Sequence, residues 1–318
     1  MRSFIVTIAV IALLVLPCGK ADATTYYFTG AAANDLWTNQ DNWSTTSCSS
    51  GVANALPTAN DDVVVCEDVT AEVTNTNSIS SAYARTVTVQ SGGHINIQPT
   101  SSFAATLTLG SGSSLLTSTL STAGIVLKDA VGSSNKATLA FVSADHTLVT
   151  EGGTTNVSGE DNLAEITIAD DTTLTADRIL IQGALKIIGD GKFVSEGSVV
   201  ESINEGQLLL VQPYELDDLV AADDREPIWR IYGAGTLQFG SGISVVTGGS
   251  LVGDFFIGGD PLGTIIVDEP LTTAGMLDLS SGGTLVVNQS LTIGSSGNAS
   301  SIGAGTIEVA ANKTFTCH

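Results

Sequence analysis

The chain has 318 residues, with 11 basic and 33 acidic side chains and a formal net charge of −22 at neutral pH. Nucleic acids and anionic membrane surfaces need lysine and arginine to neutralise their phosphates, so this charge excludes both classes of partner. Aromatic residues make up only 5% of the chain, and β-branched residues with short turns dominate it, which favours an all-β protein.

Residues 1–23 have the form of a secretory signal peptide. Arg2 precedes an apolar run over 4–16, Pro17 ends that run, and Ala21–Ala23 supplies a small-x-small cleavage signal. The run is shorter than the about 20 residues that a membrane-spanning helix needs. We therefore expect a protein that is secreted, either extracellular or at the cell surface, with an uncleaved anchor as the alternative.

Residues 24–66 differ in composition from the rest of the chain. Their aromatic side chains are Tyr26, Tyr27, Phe28, Trp37 and Trp43. A stack of repeats needs an atypical end, because an exposed terminal coil is a template for pairing with other chains. We interpret 24–66 as an aromatic N-terminal cap that merges into a first coil.

Three cysteines remain after signal cleavage, namely Cys48, Cys66 and Cys317. Secretion favours their oxidation. Cys48 and Cys66 both lie in or next to the cap, so we expect a disulfide between them, although the sequence leaves all three pairings open. Cys317 is then unpaired, and we regard it as a candidate for an intermolecular contact.

A short motif recurs through residues 67–318. It is a threonine followed by an apolar, a variable and an apolar residue, with Gly, Ala or Arg before it. Its threonines are Thr86, Thr106, Thr138, Thr236, Thr264, Thr284 and Thr306, at intervals of 20, 32, 98, 28, 20 and 22 residues. Apolar residues two positions apart predict strands with one buried face.

A period of about 20 residues without helices is typical of one coil of a parallel β-solenoid, or β-helix. Stacked coils bury a continuous apolar column, which a single coil cannot do. We therefore expect a single-stranded parallel β-solenoid of roughly 11 or 12 coils over the repeats. The general preference for right-handed crossovers predicts its hand. The alternative is a pair of antiparallel β-sandwiches.

Two stretches near the N-terminus carry a family resemblance. Trp37–Ser44 (WTNQDNWS) and Leu56–Val65 (LPTANDDVVV) together resemble the opening segment of large repetitive surface β-solenoid proteins, which include autotransporter-like and adhesin-like proteins. The resemblance implies a solenoid fold and a place at the cell surface. It implies no catalytic residues.

Residues 211–230 interrupt the repeat with several acidic side chains, and we interpret them as an acidic loop inserted between coils. Carboxylates are natural ligands of Ca²⁺, so the loop offers weak candidates for a cation site, with a solvated charged loop as the alternative. The candidate ligands are Asp217, Asp218, Asp223 and Asp224. We expect no other cofactor.

Five sequons make the chain a candidate glycoprotein in a eukaryotic secretory pathway. Their asparagines are Asn42, Asn156, Asn288, Asn298 and Asn312.

The chain does not have the sequence signatures of an enzyme. Its three histidines show no metal-ligand spacing, and no Gly-x-Ser-x-Gly elbow, Cys-x-x-Cys pair or phosphate loop occurs. We therefore expect no catalytic activity. The best remaining catalytic candidates are Asp223, Asp224 and Arg225.

The leading functional hypothesis is an extracellular structural protein that assembles end to end into filaments or a surface layer. The segment 305–317 still has the pattern of a regular coil, and a further subunit stacked on it head to tail would satisfy its exposed edge. The alternative is a monomeric adhesin or rod that binds cell-surface or matrix glycans. A polysaccharide-active enzyme and an ice-binding protein rank below these, and the sequence also fits the front portion of a longer repetitive protein.

Overall fold

The computed structural model describes residues 23–32, 34–49, 52–53, 55–75, 81–110, 112–117, 123–129, 134–143, 145–151, 155–204, 207–221, 223–245, 251–258, 263–294, 300 and 303–318. These residues contain no α-helix, and one short 3-10 helix covers Gln40–Asn42. The expected all-β class is therefore confirmed.

Twenty-eight strands account for most of these residues. In chain order they are β1 (Thr25–Phe28), β2 (Trp43–Ser44), β3 (Asp62–Val65), β4 (Thr70–Thr74), β5 (Ser81–Ala84), β6 (Thr86–Val89), β7 (His94–Gln98), β8 (Ala105–Leu109), β9 (Gly112–Thr117), β10 (Ala123–Leu127), β11 (Ala137–Phe141), β12 (His146–Glu151), β13 (Thr155–Ile168), β14 (Thr173–Asp177), β15 (Leu180–Glu196), β16 (Val199–Ser202), β17 (Leu208–Leu219), β18 (Ile228–Tyr232), β19 (Thr236–Phe239), β20 (Ser244–Val245), β21 (Asp254–Gly258), β22 (Thr264–Val267), β23 (Leu271–Thr273), β24 (Leu277–Asp278), β25 (Thr284–Val287), β26 (Leu291–Ile293), β27 (Thr306–Val309) and β28 (Phe315–Cys317).

The strands pair in three parallel ladders, which the chain visits in cyclic order. The first ladder is β1, β3, β6, β9, β12, β14, the end of β15, the end of β17, and β20. The second is β4, β7, β10, β13, β15, β16, β18, β21 and β24. The third is β5, β8, β11, β13, β15, β17, β19, β22, β25 and β27.

Three of the strands turn corners, so that β13, β15 and β17 each contribute to more than one ladder. Late in the chain, β23, β26 and β28 form a separate parallel sheet. Its strands come after strands of the third ladder in chain order, which is the place that strands of the first ladder hold earlier in the chain. Among the described strands, only β1 and β2 pair antiparallel. This pairing is incompatible with antiparallel sandwiches and compatible with the predicted solenoid.

The core consists of columns of inward side chains, one residue from each strand of a ladder. A column of the second ladder is fully buried throughout and contains Ala71, Ile95, Ile125, Val157, Ile181, Val200, Trp229, Phe255 and Leu277. The alternating burial of each strand places these residues inside, since side chains two apart share one face. Each coil therefore adds one apolar layer.

The repeated threonines stack as the motif predicts. Thr236, Thr264, Thr284 and Thr306 are register partners in the third ladder. Thr86, in contrast, lies on β6 in the first ladder. Over the described residues the third ladder has ten strand segments, fewer than the 11 or 12 coils expected. Register partners are 32 residues apart between β8 and β11 but 20 apart between β22 and β25. The coils therefore differ in length, mainly in their corner loops.

The prediction of a loop over 211–230 is wrong for most of that segment. Its first part belongs to β17 and its last part to β18, and only 220–227 connects them. The acidic residues Glu215, Asp217 and Asp218 occupy strand positions of the first ladder. A strand was hard to recognise here because buried aspartates break the apolar alternation that marks the other strands.

Candidate functional site

The last described coil leaves the ends of the inward columns uncovered. In the third ladder, the column through Val267 and Val287 is fully buried until it reaches Val309, which is 43% exposed. Neighbouring columns end on side chains that are half-buried or exposed. We refer to the four inward residues of this last described coil as the open end: Ile307, Val309, Phe315 and Cys317.

The backbone of the open end is as exposed as its side chains. Thr306 and Ala310 donate their N–H groups to the carbonyls of Gly283 and Val287 in the preceding coil. In a parallel ladder, the alternate residues direct both N–H and C=O to the opposite side. Ile307 and Val309 therefore direct these groups away from β25, where the described residues provide no further strand.

The same alternation holds for β28. His318 N donates to Ile293 O, and Thr314 O accepts from Leu291 N, so the even-numbered residues face β26. Phe315 and Cys317 thus present their backbone groups outward. An unpaired edge of this kind is a template for an added strand from another chain.

Cys317 continues an inward column. It is the register partner of Ile293, which is fully buried, and Ile293 is the partner of Thr273. Its thiol is free and exposed, because no described residue lies over this column beyond it. The predicted intermolecular cysteine is therefore placed within the open end itself.

The coil around the open end is nearly uncharged. Residues 303–318 contain one acidic side chain, Glu308, and one basic side chain, Lys313, besides His318. Lys313 Nζ donates to Gln289 Oε1 at 2.6 Å. The remainder of the chain carries the full formal charge of −22. Repulsion between two copies is therefore weakest when they meet at this coil.

The opposite end of the stack is covered by the aromatic cap. Phe28, Trp37 and Trp43 are buried together, with ring centroids 4.9 Å apart for Phe28 and Trp43 and 4.8 Å apart for Trp37 and Trp43. Trp43 Nε1 donates to the carbonyl of Trp37 at 2.7 Å. These three rings thus form one packed aromatic cluster.

The cap also pairs with the backbone of the first coil. β2 pairs with β1 on the first ladder, and Ala53 N bonds to Trp43 O on the far side of β2. On the second ladder, Trp37 N donates to Glu72 O at 2.8 Å, and Glu72 N donates to Asp35 O at 2.7 Å. The cap therefore satisfies backbone groups that an uncapped first coil would expose.

The expected disulfide between Cys48 and Cys66 is present. It joins the cap to the residue that follows β3, and Cys66 itself is buried. The bond closes a loop with a sequence separation of 18 residues. It therefore restricts the cap relative to the first coil.

The candidate cation ligands do not converge on one point. Asp217 Oδ2 is bound to Lys192 Nζ at 2.8 Å, and this aspartate is nearly buried. Asp218 is 0% exposed and accepts three hydrogen bonds from N–H groups. Burial raises the pKa of Asp218, against the lowering effect of those donors. Both side chains are therefore buried and already bound to other groups of the chain.

The remaining acidic candidates lie on the turn between β17 and β18. Asp223 pairs with Arg225 at 2.8 Å, and both side chains are exposed. Asp224 has a positive φ of 63° within a turn closed by bonds between Ala221 and Arg225 and between Asp224 and Ala221. These contacts give a solvated turn. Over the part of the chain that the structure describes, no cluster of three potential metal ligands occurs.

Four of the predicted sequons fall on described residues, and one of the four is buried. Asn42 is fully buried, and its Nδ2 donates to Asn34 Oδ1 and Leu36 O, both at 3.0 Å. A glycan on this nitrogen is incompatible with that packing, so Asn42 is a wrong candidate. Asn156 is half-buried, whereas Asn288 and Asn312 are exposed. Asn298 lies outside the described residues.

A second surface feature lies where the third ladder turns into the first. Tyr214 is 59% exposed and stands between two shallow clefts. One cleft is lined by Asp170, Asp171, Asp190, Lys192 and Glu215. The other is lined by Ile188, Gln212, Pro213 and Ser241. An exposed tyrosine offers apolar area together with a polar hydroxyl, which suits recognition of polar ligands.

Sequence reasoning pointed to the last coil but missed two features of the molecule. It did not identify Cys317 as an inward residue, although the 24-residue interval from Ile293 matches one coil. It also overlooked Tyr214, because a single aromatic residue in an aromatic-poor chain carries no periodic signal.

None of the helical segments that the structure describes has the length and hydropathy required to cross a membrane. Comparisons of the chain with protein-family models, with curated proteins and with solved structures gave no significant match.

Proposed function

We propose that the chain is an extracellular structural protein, a right-handed parallel β-solenoid that joins other copies through the open end of its last coil. The observation that carries the proposal is the stack of parallel ladders around apolar columns, whose last described strands can pair with a further coil from another chain. The open end combines uncovered apolar columns with unpaired backbone groups on two adjacent strands, β27 and β28. A strand edge and an apolar layer are satisfied together when another chain stacks on them.

Several features support an extracellular setting. The N-terminal pattern is that of a signal peptide, and the disulfide between Cys48 and Cys66 fits an oxidising compartment. The high negative charge favours solubility of the free rod and disfavours contact along its sides. Contact is then favoured at the nearly neutral last coil.

Sedimentation velocity of the signal-cleaved protein over a range of concentrations tests this proposal. The wild type should associate, and Val309→Lys should remain monomeric, because the new charge would be buried without a partner in the joint. Val286→Lys is the matched control, since Val286 points outward from β25, one coil away. A wild-type protein that stays monomeric at every concentration would contradict the proposal.

A second candidate function is a glycan-binding rod, and the exposed Tyr214 between two clefts favours it. Carboxylates and Gln212 around the ring provide hydrogen-bond partners for hydroxyl groups. Glycan-array binding with Tyr214→Ala tests this candidate. The control is Tyr83→Ala, which removes a 44% exposed tyrosine from β5. Equal binding by the two variants and the wild type would remove Tyr214 from consideration.

A further inference from the structure

One histidine lies inside the stack of coils, and the proposed function does not use it. We infer that His146 makes the solenoid acid-sensitive at one coil: when its imidazole takes up a proton, β12 separates from β9 and β14, and the first ladder opens there. This inference goes beyond the proposed function, because it does not depend on whether or how copies associate. It rests on the buried position of the ring and on the groups that surround its two nitrogens.

His146 belongs to an inward column of the first ladder. Its side chain is 2% exposed, and Leu148, two positions along β12, is fully buried on the same face. The register partner of His146 in the next coil is Leu174, which is also fully buried. The imidazole of His146 therefore stands where the next coil has an aliphatic side chain, in surroundings that disfavour a charged ring.

The two ring nitrogens of His146 are bonded differently. Nε2 lies 3.1 Å from the carbonyl oxygen of Val142. A carbonyl oxygen can only accept a hydrogen bond, so Nε2 carries the hydrogen of the neutral ring. Nδ1 is buried and has no hydrogen-bond partner among the described residues. A proton taken up by the ring must bind to Nδ1, where the closed coil would bury a charged N–H group without an acceptor.

The strands that pack against His146 surround it with uncharged groups. The ring of Phe141, which is 1% exposed, meets the imidazole edge to face, with centroids 5.1 Å apart and an interplanar angle of 70°. β9 and β11 contain no ionisable side chain, and the only acidic side chain in β14 is Asp177, which is paired with Arg178. These strands therefore offer no buried counter-charge to a protonated ring.

The carboxylates around this coil lie on exposed turns. Asp145 directly precedes His146, and Asp170 and Asp171 occupy the corresponding turn of the next coil. Burial lowers the pKa of His146, although two backbone carbonyl groups and the carboxylate of Asp145 act in the opposite direction. The closed coil therefore keeps its full stability above the ordinary pKa of 6.5, and it loses stability as the pH falls from 6.5 towards the lowered value.

Opening at His146 would be local. β12 pairs with β9 from His146 to Glu151 and with β14 from His146 to Val149. The third ladder passes the same coil through β11, which pairs with β8 and β13. Protonation would therefore interrupt the first ladder while the third ladder still joins the coils on either side. It would also expose the edges of β9 and β14 that β12 covers, and free edges can pair with other strands.

Hydrogen exchange followed by mass spectrometry at pH 7 and pH 5 tests this inference on the protein without residues 1–23. Peptides that cover β12 are compared with peptides that cover β25, after correction for the intrinsic pH dependence of exchange. His146→Leu introduces the side chain that Leu174 has in the next coil, and His146→Gln keeps a donor for the carbonyl of Val142. His94→Gln is the matched control, since His94 is a half-buried histidine on β7.

The inference predicts that the opening equilibrium of β12 in the wild type rises about tenfold from pH 7 to pH 5, whereas that of β25 does not rise. The rise should disappear in both His146 variants and remain in His94→Gln. Equal changes at β12 and β25 in the wild type, or a rise at β12 that persists in a folded His146 variant, would overturn the inference. The wild-type comparison decides the matter by itself if neither variant folds. Association is measured separately by sedimentation velocity, so the two proposals can fail independently.

Discussion

Trp229 Nε1 donates a hydrogen bond to Asp218 Oδ2 at 3.2 Å, between two residues that are completely buried. The same carboxyl group accepts from Val252 N at 2.6 Å and from Gly253 N at 2.8 Å. Asp218 belongs to β17, Trp229 to β18, and the two amides precede β21. One acidic side chain therefore ties two successive coils together.

Asp218→Asn should lower the free energy of unfolding by about 1–3 kcal/mol. Both carboxyl oxygens accept from N–H groups, so the amide nitrogen of asparagine would face a donor in either orientation. Urea unfolding measures the loss. Asp224→Asn is the control, because that side chain is exposed and asparagine tolerates its positive φ of 63°. Equal stability of the two variants would contradict the structural role of Asp218.

The ion pair between Asp62 and Arg85 in the first coil should affect how the free energy of unfolding changes at acidic pH. Asp62 accepts from Arg85 Nε at 2.9 Å and from Thr86 Oγ1 at 2.6 Å. Burial by itself raises the pKa of Asp62, but these hydrogen bonds and the charge of Arg85 outweigh burial and hold the pKa below its usual 3.8. A carboxyl group with a lowered folded pKa stabilises the protein above its unfolded pKa. That contribution is lost as the pH falls through the folded pKa.

Arg85→Gln should therefore make the free energy of unfolding depend less steeply on pH below about pH 4. Urea titrations at a series of pH values measure this slope. Arg225→Gln is a matched control, since its ion pair with Asp223 lies on an exposed turn, and its slope should follow the wild type. A slope in Arg85→Gln that equals the wild-type slope would show that Arg85 does not lower the pKa of Asp62.

Two glycines with positive φ should respond very differently to alanine. Gly189 has φ of 129°, and a Cβ there would lie 2.1 Å from the carbonyl oxygen of Ile168 in the preceding coil. Gly242 has φ of 91°, and a Cβ there would meet no described atom within 4 Å. Gly242→Ala should thus cost only the backbone strain of about 1–3 kcal/mol. Gly189→Ala should cost more, because two coils must separate.

Thermal unfolding of the two variants measures this difference. A melting temperature that is lower for Gly242→Ala than for Gly189→Ala would contradict the close stacking of coils at Ile168 and Gly189.

The thiol of Cys317 should report on the joint. It is exposed in the single chain and lies within the open end, so association should cover it. Alkylation by iodoacetamide should therefore slow as the concentration of wild-type protein rises. Val309→Lys, which is expected to stay monomeric, should react at a rate that is independent of concentration. A wild-type rate that is equally independent would show that Cys317 is not covered.

Much of the fold could be predicted because the strands of a stacked coil carry their own signal. Alternating apolar residues in Thr284–Val287 and Thr306–Val309 indicate a buried face, and their spacing indicates the coil. The aromatic cap was likewise visible as a local excess of large rings. Both features depend on composition over a few neighbouring residues.

The acidic residues of β17 could not be interpreted in this way. Whether Asp217 and Asp218 face water or the core depends on partners distant in sequence, such as Lys192 and the amides of Val252 and Gly253. Isolated charged residues usually favour the surface, so the sequence pointed to a loop. Asn42 is a similar case, since its burial results from packing within the cap.

Electron microscopy of the protein without residues 1–23 tests the central claim most directly. Association through the last coil predicts rods that are longer than those of Val309→Lys. Rods that match the length of Val309→Lys would contradict it.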